Sequence, residues 1–308
     1  MTLDNVLVLG GSGFVGRHLV AALAVGGITV TVPSRHRERA KHLLPLPTVE
    51  VVETDIMAPG TLEALARGKQ AVINLVGILH GDFERMHVEL PLAVVAACRA
   101  RGVGRLLHMS ALGAAASAPS EYLRTKAKGE QAALAATDLA VTAFRPSVIF
   151  GPEDAFLNTF AALARMFPVL PIACPQARFQ PVYVADVAQA MSRTLGDQST
   201  HGKTYELCGP RQYTLKELVE LVCEMTGRHR AVLGLSDRLS YWQAFVMEKL
   251  PGKLITRDNL LSMQVPNVCA GVFPFGIRPR ALEAEAPAYL APAGPRERYP
   301  RFRWRARR

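Results

Sequence analysis

The stretch Val6-Leu-Val-Leu-Gly10-Gly-Ser-Gly13-Phe-Val-Gly16 decides how the rest of the chain is read. Val6 to Leu9 has no polar side chain, so a strand here is buried on both faces, as the strands of a parallel sheet are. Glycines follow at the spacing Gly10-x-x-Gly13-x-x-Gly16, and a helix is predicted from about Val15. Gly10 permits a tight turn at the strand end. Gly13 removes a Cβ where a pyrophosphate must approach the backbone, and Gly16 lets the helix pack close to the strand. The helix N-terminus offers unpaired N–H groups and the positive end of its dipole to phosphates. Glycine spacing alone is weak evidence; a strand before it and a helix after it make it a dinucleotide turn. Ser12, Phe14 and Val15 are counted with the three glycines among the cofactor-contacting residues.

Outward from this turn, strand and helix patterns alternate. Strands are predicted at Val6–Leu9, Ile28–Val32, Val49–Glu53, Ala71–Val76, Leu106–Met109 and Ala140–Phe144. Helices are predicted at Val15–Val25, Glu38–Leu44, Thr61–Arg67, Ala93–Arg101 and Glu121–Ala136, with Pro91 starting or kinking the fourth. Such alternation implies an α/β fold, a doubly wound parallel sheet with helices on both faces. After Pro152 the pattern changes to helical stretches at Ala155–Met166, Leu215–Met225 and Leu239–Leu250, with short strands at Tyr205–Leu207 and Ala231–Gly234. The expected organisation is a nucleotide-binding domain over 1–150, a smaller, mostly helical, discontinuous substrate-side region over 151–290, and a basic tail over 291–308. Arg178, Phe179 and Gln180 are candidates to reach the cleft, with core packing an equal account of Phe179.

The 308 residues are 49% hydrophobic and 20% charged, a globular composition. Five cysteines (Cys98, Cys174, Cys208, Cys223, Cys269) are scattered and never spaced Cys-x-x-Cys, which suggests reduced thiols in a cytoplasmic setting with neither a disulfide frame nor a zinc site. Met1–Asn5 leads straight into the first strand, so no cleavable signal peptide is expected, and no apolar run of membrane-spanning length occurs. Net charge is +10, but the tail Arg296–Arg308 holds seven arginines and one glutamate. The basic balance therefore belongs largely to the tail and is no nucleic-acid footprint of the fold.

The ends of the next strands bear on the cofactor. The second closes with Pro33-Ser34-Arg35-His36-Arg37 and has no acidic residue to hold a ribose 2′-hydroxyl. Arg35 suits a 2′-phosphate, with Ser34 and Arg37 assisting, so NADP(H) is expected over NAD(H). The third ends at Asp55 and Ile56, where a carboxylate can meet an adenine amino group. The fourth ends at Asn74-Leu-Val76-Gly77, small and apolar beside the expected crevice.

The fifth strand runs into Ser110, and twelve residues on comes Tyr122-Leu-Arg-Thr-Lys126. Tyr122 and Lys126 share a helical face. A cation beside a phenol is expected to lower its pKa from near 10 and make it usable for proton transfer. Ser110 can hold a substrate oxygen. Such pairs are often merely solvated, but Ser110 and the glycine turn raise this one above the background. His80, His87 and His108 are too scattered to argue for a site.

With these residues in view, the sequence resembles the short-chain dehydrogenase/reductase superfamily, in its extended, epimerase-like branch. The matching residues are Gly10, Gly13, Gly16, Asp55, Ser110, Tyr122, Lys126, the run Arg145-Pro-Ser-Val-Ile-Phe-Gly-Pro152 and Phe179-Gln-Pro-Val-Tyr-Val-Ala-Asp186. Within that branch, Val72–Leu79, Met109–Gly113, Tyr122–Lys126 and Leu250–Asn259 are similar to bacterial relatives of the nucleotide-binding accessory subunit of respiratory complex I. The resemblance implies a Rossmann domain holding NAD(P)H, Lys126 on the nicotinamide ribose, Tyr122 as acid or base, and backbone at Pro146 to Val148 facing the nicotinamide. His87 departs from an asparagine that positions a water behind the lysine, which bears on proton relay. Leu9 replaces a frequent threonine, which trims one turn hydrogen bond.

Two functions follow as expectations. One is an oxidoreductase or epimerase-like enzyme passing hydride between a nicotinamide and a carbonyl or alcohol. The other is a non-catalytic, NADPH-holding accessory protein linked to complex I or ubiquinone metabolism. The substrate would be a small or lipid-like molecule. Leu239, Trp242, Val246 and Leu250 recur at helical spacing, so this helix, or the aromatic- and arginine-bearing tail Arg296–Arg308, is a candidate for peripheral membrane contact. Core packing of the helix and a solubilising role of the tail are the plainer alternatives.

Overall fold

A computed structural model describes residues 3–249 and 255–291; the tail Arg296–Arg308 and Leu250 lie outside them. Six strands follow one another: β1 (Asn5–Leu9), β2 (Thr29–Ser34), β3 (Val49–Glu53), β4 (Ala71–Asn74), β5 (Arg105–Met109) and β6 (Ala140–Pro146). A seventh, Lys203–Leu207, joins beside β6, giving the order Lys203–Leu207, β6, β5, β4, β1, β2, β3. All neighbouring pairs are parallel. The order reverses between β4 and β2, on either side of β1, so the crevice opens beyond the carboxyl ends of β1 and β4.

Helices cover both faces, which is why the strands are apolar on both sides. Leu19, Val20 and Leu23 of α1 (Phe14–Val25) pack one face. The other is covered by α2 (Thr61–Ala66), α3 (Leu90–Arg101) and α4 (Glu121–Leu134), through Leu62, Val94, Cys98 and Ala133. Pro91 is the second residue of α3, which continues without a break from a π-helical turn, Arg85–Glu89. A second core gathers around Phe150, α5 (Ala155–Met166) and the later helices.

The structure departs from the sequence expectations in several places. Glu38–Leu44 is not an α-helix; only a 3₁₀ turn, Arg37–Ala40, forms, and the chain then turns toward β3. Val184–Thr194, unassigned above, is α6, whose Val187, Ala188 and Met191 join the core beside α1. Val169–Ile172 is a strand despite Pro171, because it lies in a two-stranded ribbon with Ala231–Gly234. Finally, the expectation of free thiols throughout is corrected: Cys208 and Cys269 form a disulfide, their Cα atoms 6.0 Å apart across a sequence separation of 61. Tertiary folding brings the end of strand Lys203–Leu207 against a distant segment, which cysteine spacing does not reveal. Helices α7 (Leu215–Met225), α8 (Asp237–Met247) and α9 (Arg257–Met263) follow; α9 was also unassigned. No described helix is long and apolar enough to cross a membrane.

Candidate functional site: a dinucleotide crevice with a serine, tyrosine and lysine at its edge

The glycine turn has the geometry its residues demand. Gly10 has φ +78°, a conformation L side chains rarely adopt. A Cβ on Gly16 would lie 2.3 Å from the Gly10 carbonyl oxygen, so only glycine lets α1 start this close to the strand. Gly13 is exposed and is the N-cap of α1, with no side chain capping it, which leaves first-turn N–H groups facing out. Phe14, Val15 and Ser12 flank this cradle, partly buried. Arg17, one turn into α1, pairs with Glu153, yet its Nε is buried without a partner. Sequence reasoning passed over it.

At the end of β2, Ser34 is buried and its hydroxyl donates to the His36 carbonyl (2.9 Å). That engages the hydroxyl proton locally, at the strand end where Arg35 follows. Arg35 is exposed and bonds to no described residue. Asp55 is exposed at the end of β3, one carboxylate oxygen accepting from Met57 N–H (3.0 Å), with Ile56 half-buried beside it.

Lys126 is 4% exposed and donates to the Met109 carbonyl at 2.8 Å. Gly77 lies against it: a Cβ there would be 3.3 Å from Nζ. The ammonium thus sits between the carboxyl ends of β4 and β5. Burial lowers its pKa to about 8, against an opposing pull from Glu130. Ser110 follows Met109; its N–H donates to the Phe144 carbonyl (2.7 Å), but its buried Oγ has no partner among the described residues. The Tyr122 ring packs on His87 and Phe83, and its hydroxyl bonds to no described residue. Burial pushes this phenol up to about 12. The expected lowering by Lys126 is therefore corrected: removal from water disfavours the phenolate, and burial alone sets the direction of the shift.

His87 is committed on both ring nitrogens. Nε2 accepts from Ile78 N–H (3.0 Å), so Nδ1 carries the proton and donates to Thr125 Oγ1 (3.1 Å). It ties the Val76–Ile78 loop to α4 and has no nitrogen left for a relay. Burial, then Lys126, lowers its pKa to about 3. His108, in β5, meets Asn74 Nδ2 through Nδ1 (3.4 Å), while Nε2 is buried and unpaired; it too is held near 3, mainly by burial. Two histidines that sequence reading set aside as scattered thus lie behind the lysine.

The loop after β6 is fully engaged. Pro146 C=O accepts from Leu112, Ser147 N–H donates to Leu207, and Val148 N–H donates to Asn267 Oδ1 (3.0 Å). Asn267, which nothing in its sequence context marks, also accepts from Ser147 Oγ (2.6 Å). Asp258 of α9 accepts from the N–H groups of Glu121 (2.7 Å) and Tyr122 (3.1 Å), capping the helix that carries the Tyr/Lys pair. Arg178 bonds Gln212, Phe179 is core, and Gln180 bridges Gly209 and Cys269, so this trio holds segments together. A separate cavity of about 450 Å³ lies beside the disulfide, lined by Gln180, Glu206 and Phe273 among others.

Glycines that a Cβ would clash with, a bare helix start, and a buried ammonium held at the end of β5 fit a dinucleotide. The profile of the NAD dependent epimerase/dehydratase family matches residues 6–208. The chain belongs to this family. It is 39% identical over 230 residues to the mitochondrial NADH dehydrogenase [ubiquinone] 1 alpha subcomplex subunit 9 of Arabidopsis thaliana, covering 71% of this chain and 57% of that protein. To the mouse protein of the same name it is 30% identical, over 96% of this chain and 81% of that one. To the ceramide reductase of Caulobacter vibrioides it is 34% identical, over 59% of this chain and 58% of that one. Among solved structures, MoeE5 in complex with UDP-glucose and NAD superimposes with a TM-score of 0.64 at 23% identity, over 77% of this chain and 87% of that one, a likeness of fold. The fold is thus that of NAD-binding proteins. Among the described residues no group of side chains could hold a metal ion.

Proposed function

We propose that this protein is an NADP(H)-dependent oxidoreductase acting on a carbonyl or alcohol of a lipid-like molecule, in the cytoplasm or at its membrane face. The observation that carries the reading is Ser110 Oγ, a buried hydroxyl with no partner among the described residues, in the residue after the Met109 carbonyl that holds the Lys126 ammonium. A buried polar group left unpaired is costly, so such a group calls for a ligand atom. The relative named ceramide reductase supports a carbonyl on a lipid as the substrate class.

A bound nicotinamide would supply or take the hydride. Gly10, Gly13 and Gly16 with the first turn of α1 would hold the diphosphate, and Arg35 a 2′-phosphate. Lys126, with ammonium hydrogens beyond the bond to Met109, would hold ribose hydroxyls. Ser110 would donate to or accept from the substrate oxygen. Tyr122, kept protonated at neutral pH by its raised pKa, suits the reductive direction, giving its proton to the oxygen of a carbonyl as it becomes an alcohol.

Replacing Tyr122 by Phe is expected to abolish reduction of acyl-chain ketones, by a hundredfold or more on the order of a lost general acid, while NADPH binding is unchanged. Turnover retained in that variant overturns the role. A second reading, a non-catalytic NADPH-holding accessory protein linked to complex I or ubiquinone metabolism, is favoured by the alignment of the mouse subunit over 96% of the chain. A nucleotide that co-purifies and is not oxidised by any such ketone in the wild-type protein would select it.

A further inference from the structure

The dinucleotide reading leaves one large surface feature unused. Strands Val169–Ile172 and Ala231–Gly234 pair in parallel, Val169 opposite Ala231 and Pro171 opposite Leu233. Leu170, Ile172 and Val232 turn inward, whereas Val169 and Leu233 are 41% and 55% exposed, with Pro171 and Ala231 also outward. Parallel strands are ordinarily covered on both faces. Alongside lies α8, tied to the ribbon by Gln243 Nε2 donating to the Pro171 carbonyl (2.9 Å). It presents Leu239, Trp242 and Val246, all more than half exposed, at i, i+3 and i+7, one stripe of the helix. Met166 and Phe167 at the end of α5 are exposed as well. Single exposed apolar residues are ordinary; a helix stripe beside a ribbon that no described residue covers marks an interaction surface.

Charge narrows what covers it. Exposed Arg165, Arg228, Arg238 and Lys249 flank these apolar positions in sequence, Lys249 lying over the Phe245 ring (4.2 Å). Asp237 is the acid on the same helix end, and Glu248 is paired with Arg257. An apolar face with a tryptophan and exposed cations adjacent in sequence is the chemistry of a bilayer interface with acidic headgroups.

We propose that this face docks on an anionic phospholipid membrane. Trp242, Leu239, Val246 and Leu233 enter the boundary between headgroups and acyl chains, and Arg165, Arg238 and Lys249 meet the phosphates. The proposal stands whether or not the crevice turns over substrate. Through α9, which packs on α8 and whose Asp258 caps α4, the docking face is two elements away from Tyr122.

The test is flotation of the full chain with phosphatidylcholine vesicles, with and without phosphatidylglycerol, alongside analytical ultracentrifugation without lipid. Flotation is expected only with phosphatidylglycerol and should weaken as salt rises. The exposed double variant Leu239→Glu, Trp242→Glu should lose membrane partitioning by on the order of tenfold or more, with NADPH affinity and far-UV circular dichroism unchanged. Flotation of the double variant equal to wild type overturns the proposal, since the basic tail is intact in both. So does failure of the wild type to float, or equal flotation on phosphatidylcholine alone. Self-association of the wild type that the double variant loses would also overturn it, assigning the face to a second copy.

Discussion

In the proposed function, Arg35 and Tyr122 are the single residues on which cofactor choice and proton transfer depend. Arg35 stands exposed at the end of β2, bonded to no described residue, while its neighbour Ser34 is turned inward. In the proposed reading, a guanidinium so placed would distinguish a 2′-phosphate from a 2′-hydroxyl by charge-assisted hydrogen bonds. Arg35→Ala is therefore expected to weaken NADPH binding by roughly tenfold, the worth of one such bond, and to leave NADH binding unchanged. Fluorescence titration of both nucleotides checks this; equal losses would remove Arg35 from the 2′-phosphate. For Tyr122, the residue type and its spacing to Lys126 were legible in the sequence. The direction of its pKa was not, because burial depends on Phe83 and His87, brought in from another element.

At the scale of elements, the site depends on how closely α4 sits on the π-helical turn Arg85–Glu89. Gly129 of α4 lies under the His87 carbonyl: a Cβ there would be 1.8 Å from that oxygen. Backbone cannot yield as a flexible side chain can, so Gly129→Ala must push α4 away and with it the bond from His87 to Thr125. The expected cost is on the order of 3 kcal/mol. Gly104→Ala, at an exposed position with open space around it, is the control and should stay within about 0.5 kcal/mol. Urea midpoints of the two variants check the difference. The helical period of α4 was readable from its sequence; that Gly129 is a contact glycine required the partner element.

For the whole molecule, two features set its response to solution conditions. His87 and His108 are buried and held near 3, below the ordinary 6.5, so the unfolded chain binds protons that the folded chain refuses. Stability should then fall as pH drops from about 6.5 toward 3, by at most about 1.4 kcal/mol per histidine for each pH unit. Asp154 and Asp186, raised by burial, take protons earlier in the folded state and offset part of that loss. Urea midpoints across this range check the slope, and a flat profile would count against two buried neutral imidazoles. The Cys208–Cys269 bond closes a loop of 61 residues, worth about 4 kcal/mol in chain entropy. Cys269→Ser is expected to lower the melting temperature, and a reductant should do the same to the wild type and nothing further to the variant. Cysteine spacing could not disclose this pair, since only the packing of residues 264–279 against the sheet's edge makes the two meet.

The helix expected at Glu38–Leu44 did not form, whereas the order of strands through β6, the glycine turn, and the residue types and spacing of Ser110, Tyr122 and Lys126 were determined by the sequence itself. Each is written in short-range terms: apolar runs, glycine spacing, and a pair one helical turn apart. The partners that tune this set were decided by the tertiary structure: Asn267 on Val148, Asp258 at the start of α4, His108 behind Lys126, and the seventh strand beside β6. They come from distant parts of the chain, and hydrogen bonds, desolvation and disulfide closure depend on distance in space, which local sequence pattern does not encode.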